Sequence, residues 1–239
     1  MSVLSILLTT IDCSVYIMTA AGSGSPLPAP LVQTAIMLPR EDIYDMYLDK
    51  CKVEDYNGDG IPEVYLAAAS GWEYYVYFYL DGEMHSVEDL TPWAWSSDLC
   101  YTSDGHLALH TWSHTEGTAG YDQCRIYEWT KEGYRLSEDL WSVPDERDWD
   151  GTLLNCVYIS KEEPFDPVSS EVEDGVYDEF LISKEEYEKR ISNLGTMTSV
   201  FEDGLEWGWN FWQENDYEDS SVLEGVYRQI QGEILNWHD

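Results

Sequence analysis

The spacing of apolar residues changes period twice along the chain. Ile43, Met46 and Tyr47 fall on one face at helical spacing, which predicts an amphipathic helix over 41–51. From Val64 onward the period is two. Segments at 64–70, 74–80, 98–102, 106–114, 121–130, 134–143, 153–159 and 176–182 are rich in β-branched and aromatic residues. Asp81-Gly82, Asp104-Gly105 and Glu132-Gly133 punctuate them as turns. Helical signals return at Ser183, which with Glu186 forms a Ser-x-x-Glu capping signature for a helix reaching about 194. Ser220 or Ser221 starts a last helix through Val222, Val226, Ile230 and Ile234. The stretch 201–212, dense in Trp and acid, has no clear period. The pattern predicts an α+β fold: an antiparallel β-meander centre with an N-terminal helix and C-terminal helices, in a single domain over 40–239.

Charge narrows the range of partners. Of 239 residues, 47 are Asp or Glu and 12 are Lys or Arg, a formal charge of −35. Such a surface repels phosphate backbones and anionic lipid, which argues against nucleic-acid binding and a polybasic membrane anchor. It attracts cations and basic proteins. The 11 Trp and 18 Tyr, with 44% apolar residues, argue for a packed core and not a disordered acidic chain. No Lys or Arg occurs from 53 to 124, so one region is depleted of internal counter-charge.

The first 39 residues read separately. An apolar run through Leu4, Leu7, Ile11 and Ile17, small residues at Thr19-Ala20-Ala21, and a Gly-Ser-Pro-Ala spacer over 22–30 follow the order of an export signal. Asp12 interrupts the run and no Lys or Arg precedes it. The expectation is an extracellular or cell-envelope protein with no stable membrane span in its mature chain; a cytoplasmic protein with an apolar tail is the alternative. Cys51, Cys100, Cys124 and Cys156 could form two disulfides after export, or pack as free thiols.

One motif carries chemistry. Asp55, Asn57 and Asp59 alternate, Gly60 follows, and Glu63 closes the run. Oxygen-bearing side chains at alternate positions let a tight loop wrap a hard cation, and glycine permits the sharp turn. Asp55, Asn57, Asp59 and Glu63 would supply side-chain oxygens and Ile61 its carbonyl, a set that suits Ca²⁺ better than Mg²⁺. The loop departs from an EF-hand at its twelfth position, where Leu66 replaces the bidentate Glu, and the residues after Pro62 read as strand. In this respect Asp-Tyr-Asn-Gly-Asp-Gly-Ile-Pro-Glu-Val resembles the calcium loops of FG-GAP and VCBS-type extracellular repeats, and of related secreted proteins from gut Firmicutes. That resemblance covers about 51–82 and implies a Ca²⁺ loop leading into a β-strand, with Asp55, Asn57, Asp59, Ile61 and Glu63 as ligands. Propellers of that type repeat the loop; this chain carries it once.

Other constellations give less. His106, His110 and His114 recur every four residues, but on a strand such positions lie about 13 Å apart and cannot share an ion. Asp145, Glu146, Asp148 and Asp150 lack the alternation of the loop and read as a solvated turn. No Gly-x-Ser-x-Gly elbow or phosphate-binding glycine loop is present. Tyr75, Tyr77 and Tyr79 share one strand face, which suits a packed core or, less often, a sugar- or peptide-binding surface. The expectation is a binding protein for an extracellular glycan or protein, with one structural Ca²⁺ loop and no evident catalytic machinery. Two alternatives are a secreted glycan hydrolase using paired carboxylates and a cytoplasmic acidic inhibitor or immunity-type protein with a basic partner.

Overall fold

The computed structural model describes residues 47–69, 73–88, 90–94, 96–113, 120–144, 156–164, 178–215 and 219–237. The predicted signal and spacer over 1–39, the acidic run 145–150, and His114 lie outside these residues. Two antiparallel sheets form the centre. The first has the order β12-β1-β2-β3-β4, built from β1 (Leu48–Glu54), β2 (Glu63–Ala68), β3 (Glu73–Leu80), β4 (Glu83–Ser86) and β12 (Leu205–Glu206). The second has the order β10-β9-β8-β7-β6-β5-β11. Its long strands are β5 (Ser96–Thr102), β6 (Leu107–Ser113), β7 (Tyr121–Thr130), β8 (Gly133–Pro144) and β9 (Cys156–Lys161). The short β10 (Leu181–Ile182) and β11 (Met197–Ser199) close its two edges. Three α-helices complete the described part: α1 (Lys184–Asn193), α2 (Trp209–Glu214) and α3 (Ser220–Asn236). The fold is α+β, and the meander from β5 to β9 follows chain order.

Burial explains the layering. β2 is buried at every position, because both of its faces are covered. Val64, Leu66 and Ala68 pack with Leu223, Val226 and Ile230 of α3. Tyr65 and Ala67 turn the other way and join Val76 and Phe78 against Leu99, Leu107, Leu109 and Tyr127 of the second sheet. On the far face of that sheet, Ala108, Cys124, Ile126 and Leu140 receive Tyr187 and Leu194 from α1 and its C-cap. The order of layers is therefore helix, sheet, sheet, helix.

The predicted helix over 41–51 is corrected where the structure describes it, since 48–51 belongs to β1. A register shift between Leu48 and Lys50 inserts one extra residue opposite β2. That bulge turns Leu48 and Cys51, three apart, toward the same α3-facing cluster. The ambiguous stretch 201–212 resolves into β12 and α2, and Trp207 and Trp212 hold the edge of β1. Trp212 Nε1 donates to Leu48 O at 2.8 Å, and the Trp207 backbone N–H donates to Asp49 O at 2.7 Å. At α1 Ser183 is the N-cap as its signature predicts, accepting from Glu186 N–H. The cap of α3 is Asp219, one residue before the expected serines. Over the predicted strand 176–182, a 3₁₀ turn (Asp178–Phe180) precedes the two residues of β10. Among the described residues no helix is long and apolar enough to cross a membrane.

Ile230 is fully buried beneath the first sheet, whereas Leu235, on the same helix, is 59% exposed. Ile230→Ala should cost about 2–5 kcal/mol in urea unfolding. Leu235→Ala should stay within about 0.5 kcal/mol of the parent.

Candidate metal centre

The Asp-rich motif forms the eight-residue connection 55–62 between β1 and β2, so it is a hairpin loop flanked by strands on both sides. Its backbone is wound around its own acids. Asp55 Oδ1 accepts the N–H groups of Gly58 at 2.7 Å and Asp59 at 3.1 Å, and Oδ2 accepts that of Gly60 at 2.9 Å. Asn57 Oδ1 accepts from Asp59 N–H and Asp59 Oδ1 from Ile61 N–H, both at 2.8 Å. This winding needs φ of +77° at Gly58 and +87° at Gly60, values that side chains with a Cβ rarely adopt. The alternating polar residues thereby act as Asx turns and face the centre of the loop.

Glu63 closes the loop from the first position of β2. It is 1% exposed, and its carboxylate accepts from Tyr56 N–H at 3.2 Å, Tyr65 Oη at 3.0 Å and Asn57 Nδ2. Single carboxylate oxygens of Asp55, Asp59 and Glu63 lie within 4.8 Å of one another. Among the described residues, no Lys, Arg or His pairs with any of the three. The electrostatic result is a pair of perturbed acids. Burial, reinforced by the charges of Asp59 and Asp55, pushes the Glu63 carboxyl up to about 8 against the hydrogen bonds that it accepts. Burial and the nearby Asp55 charge also raise Asp59. Carboxylates so placed call for protons or a cation, and an oxygen-only donor set favours a hard cation over zinc.

Of the five expected donors, Asp55, Asp59 and Glu63 are gathered on one point. Asn57 is engaged through its amide nitrogen with Glu63, and Ile61 enters through its N–H. Sequence reasoning missed the support beneath them. Tyr56, inside the motif, stacks on Tyr101 with centroids 4.7 Å apart and meets Tyr65 edge-on at 5.4 Å. Its hydroxyl donates to Val200 O at 3.3 Å. Tyr65 Oη lies 3.5 Å from Tyr134 Oη, so the phenols link the loop to both sheets. Nothing in the local pattern marks these tyrosines as a group, because they come from four separate segments.

The other candidates fall apart in space. His106 faces Asp104 and Glu128, while His110 meets Asp122 at 3.2 Å; no metal-holding group of the described residues contains either histidine. Cys51, Cys100, Cys124 and Cys156 are free thiols, the first three buried. Burial pushes Cys51 and Cys100 up to about 12, which keeps them protonated packing residues. The tyrosine stripe turns inward: Tyr77 is buried and Tyr75 packs on the α3 cluster. Compared with protein-family models, curated proteins and solved structures, the chain matches none.

The raised Glu63 sets a pH dependence for the metal-free protein. In the unfolded chain this group titrates near 4.5, and in the folded chain near 8. Its contribution favours folding fully below the lower value and is lost as pH rises through the upper one. In EDTA, urea unfolding between about pH 5 and about pH 8 should show a loss on the order of 4 kcal/mol that Glu63→Gln removes.

Proposed function

We propose that the chain is an exported or cell-envelope binding module whose hairpin loop holds one Ca²⁺ as a structural clamp. The observation that carries this reading is Glu63, a buried carboxylate with no cationic side chain beside it among the described residues, converging with Asp55 and Asp59. Asp55, Asn57, Asp59, the Ile61 carbonyl and Glu63 form the proposed ligand set. Bound there, Ca²⁺ would replace the proton that burial forces on Glu63 and join the β1–β2 turn to the tyrosines below it. Extracellular Ca²⁺ modules work with weak sites, with dissociation constants on the order of 10⁻⁴–10⁻³ M, which a short loop of this kind suits. The partner proposed is an extracellular glycan or protein. A second reading, an acidic inhibitor of a basic protein, draws its support from the charge of −35.

Thermal unfolding of the full chain in EDTA, then across a Ca²⁺ titration with Mg²⁺ as control, separates the two. Near a hundredfold excess over the dissociation constant, Ca²⁺ should raise the melting temperature by about 5–10 °C. Asp59→Ala should abolish that rise, and Glu83→Gln, at an exposed acid outside the loop, should leave it intact. An unchanged melting temperature overturns the clamp and favours the basic partner.

A further inference from the structure

A cleft of about 550 Å³ opens where the two sheets meet, away from the Asp-rich loop. Lys50 comes from β1, Tyr74 from β3, Asp98 from β5 and Trp112 from β6; Phe201 and Glu206 come from the chain linking β11 to β12 and from β12 itself. The volume lies within the roughly 300–1,000 Å³ of small-ligand clefts. A neighbouring hollow of similar size shares Lys50, Ser199 and Phe201 with it, so the depression continues along the seam. An extended groove suits a chain-like ligand better than a compact one.

The lining narrows the chemistry. Tyr74 and Phe201 stack at 6.1 Å with an interplanar angle of 25°, and Tyr74 Oη is anchored on Ser97 O at 3.0 Å, which fixes one wall. Trp112 is half-buried, and its ring is held 4.9 Å from that of His110. Asp98 accepts from the Ser199 hydroxyl at 2.9 Å, so its carboxylate is oriented. Lys50 makes no ion pair with any described residue, although Glu206 is its cross-strand partner. Asp49, Asp98 and Glu206 line the cleft around the single ammonium of Lys50, so the wall works against an anion and offers both hydrogen-bond acceptors and a donor. Hydroxyl groups both donate and accept, and therefore satisfy carboxylates and ammonium together. The half-buried ring of Trp112 then supplies flat apolar contact for the C–H face of a sugar.

We propose that this cleft binds a short neutral oligosaccharide, with Trp112 as stacking platform and Asp98, Lys50 and Glu206 as hydrogen-bonding groups. The proposal rests on the reading of the chain as an extracellular binding module and names its ligand class. None of the loop residues lines the cleft, so its failure is separable from failure of the Ca²⁺ clamp.

The test is binding of the full chain, in Ca²⁺ and in EDTA, to maltotriose, cellotriose, xylotriose and chitotriose by calorimetry, with a tetra-lysine peptide as charged control. At least one trisaccharide should bind with an affinity that hardly changes with salt. Trp112→Ala should weaken it by about tenfold or more, and Asp98→Asn comparably, with cooperative thermal unfolding retained in both variants. Glu206→Gln, at an exposed position of β12, provides a second variant that should weaken binding with the fold intact. Binding of none of the four sugars overturns the proposal, as does binding of the peptide alone with steep salt dependence. Sugar binding that survives Trp112→Ala also overturns it. Loss of sugar binding in EDTA together with the melting shift ties the cleft to the clamp; sugar binding with no Ca²⁺ response leaves the cleft standing and removes the clamp.

Discussion

A carboxylate that is 1% exposed and has no cationic neighbour among the described residues is the constraint around which the β1–β2 turn is arranged. Glu63 stands where a winding polar loop meets a strand buried on both faces. Its hydrogen bonds reach back into the loop through Tyr56 and Asn57 and down into the sandwich through Tyr65. From Tyr65 the contact passes to Tyr134 on the second sheet, and from Tyr56 to Tyr101 and Val200. The loop is thus fixed to the interface between the sheets at several points. Whatever satisfies Glu63 bears on how β1, β2 and the second sheet stay together.

The few positive charges of this chain are used selectively. Arg125 Nε meets Asp139 at 3.2 Å inside the second sheet, where Gln123 Nε2 donates to the same carboxylate at 2.9 Å, and an Arg125 nitrogen reaches Thr91 O. Arg190 fastens α1 to the sheet through Glu138 and Ser160. Asp139, the other buried acid among the described residues, therefore has a counter-charge and is the comparison with Glu63. One is neutralised by Arg125, its cross-strand partner on β7; the other lies in the stretch 53–124 that contains no Lys or Arg. Among the described residues no cationic side chain is placed to hold Glu63 ionised.

Legibility in the sequence followed the range of the interactions. The hairpins β3–β4 and β7–β8 were readable because Asp81-Gly82 and Glu132-Gly133 encode their turns locally. The Ser183 cap was readable for the same reason, and so were the alternating oxygens of the loop. β1 was missed because the helix prediction rested on Ile43, Met46 and Tyr47, upstream of the strand, and because its bulge breaks the two-residue alternation that would have marked it. β11 and β12, three and two residues long, exist only through pairing with distant strands and leave almost no periodic trace. The tyrosines under Glu63 and the walls of the seam cleft are assembled from separated segments, so neither could be found by spacing. The aromatic run after the loop was legible as a strand, but the covering of its outer face by α3 was not.

Calorimetric titration of the metal-free full chain with Ca²⁺, beside Glu63→Gln, tests the account at its centre. The account predicts one Ca²⁺ bound per chain in the parent and a large loss of that binding in the variant, because the closing ligand has lost its charge. Absence of Ca²⁺ binding at millimolar concentration, or equal binding by parent and variant, would contradict it.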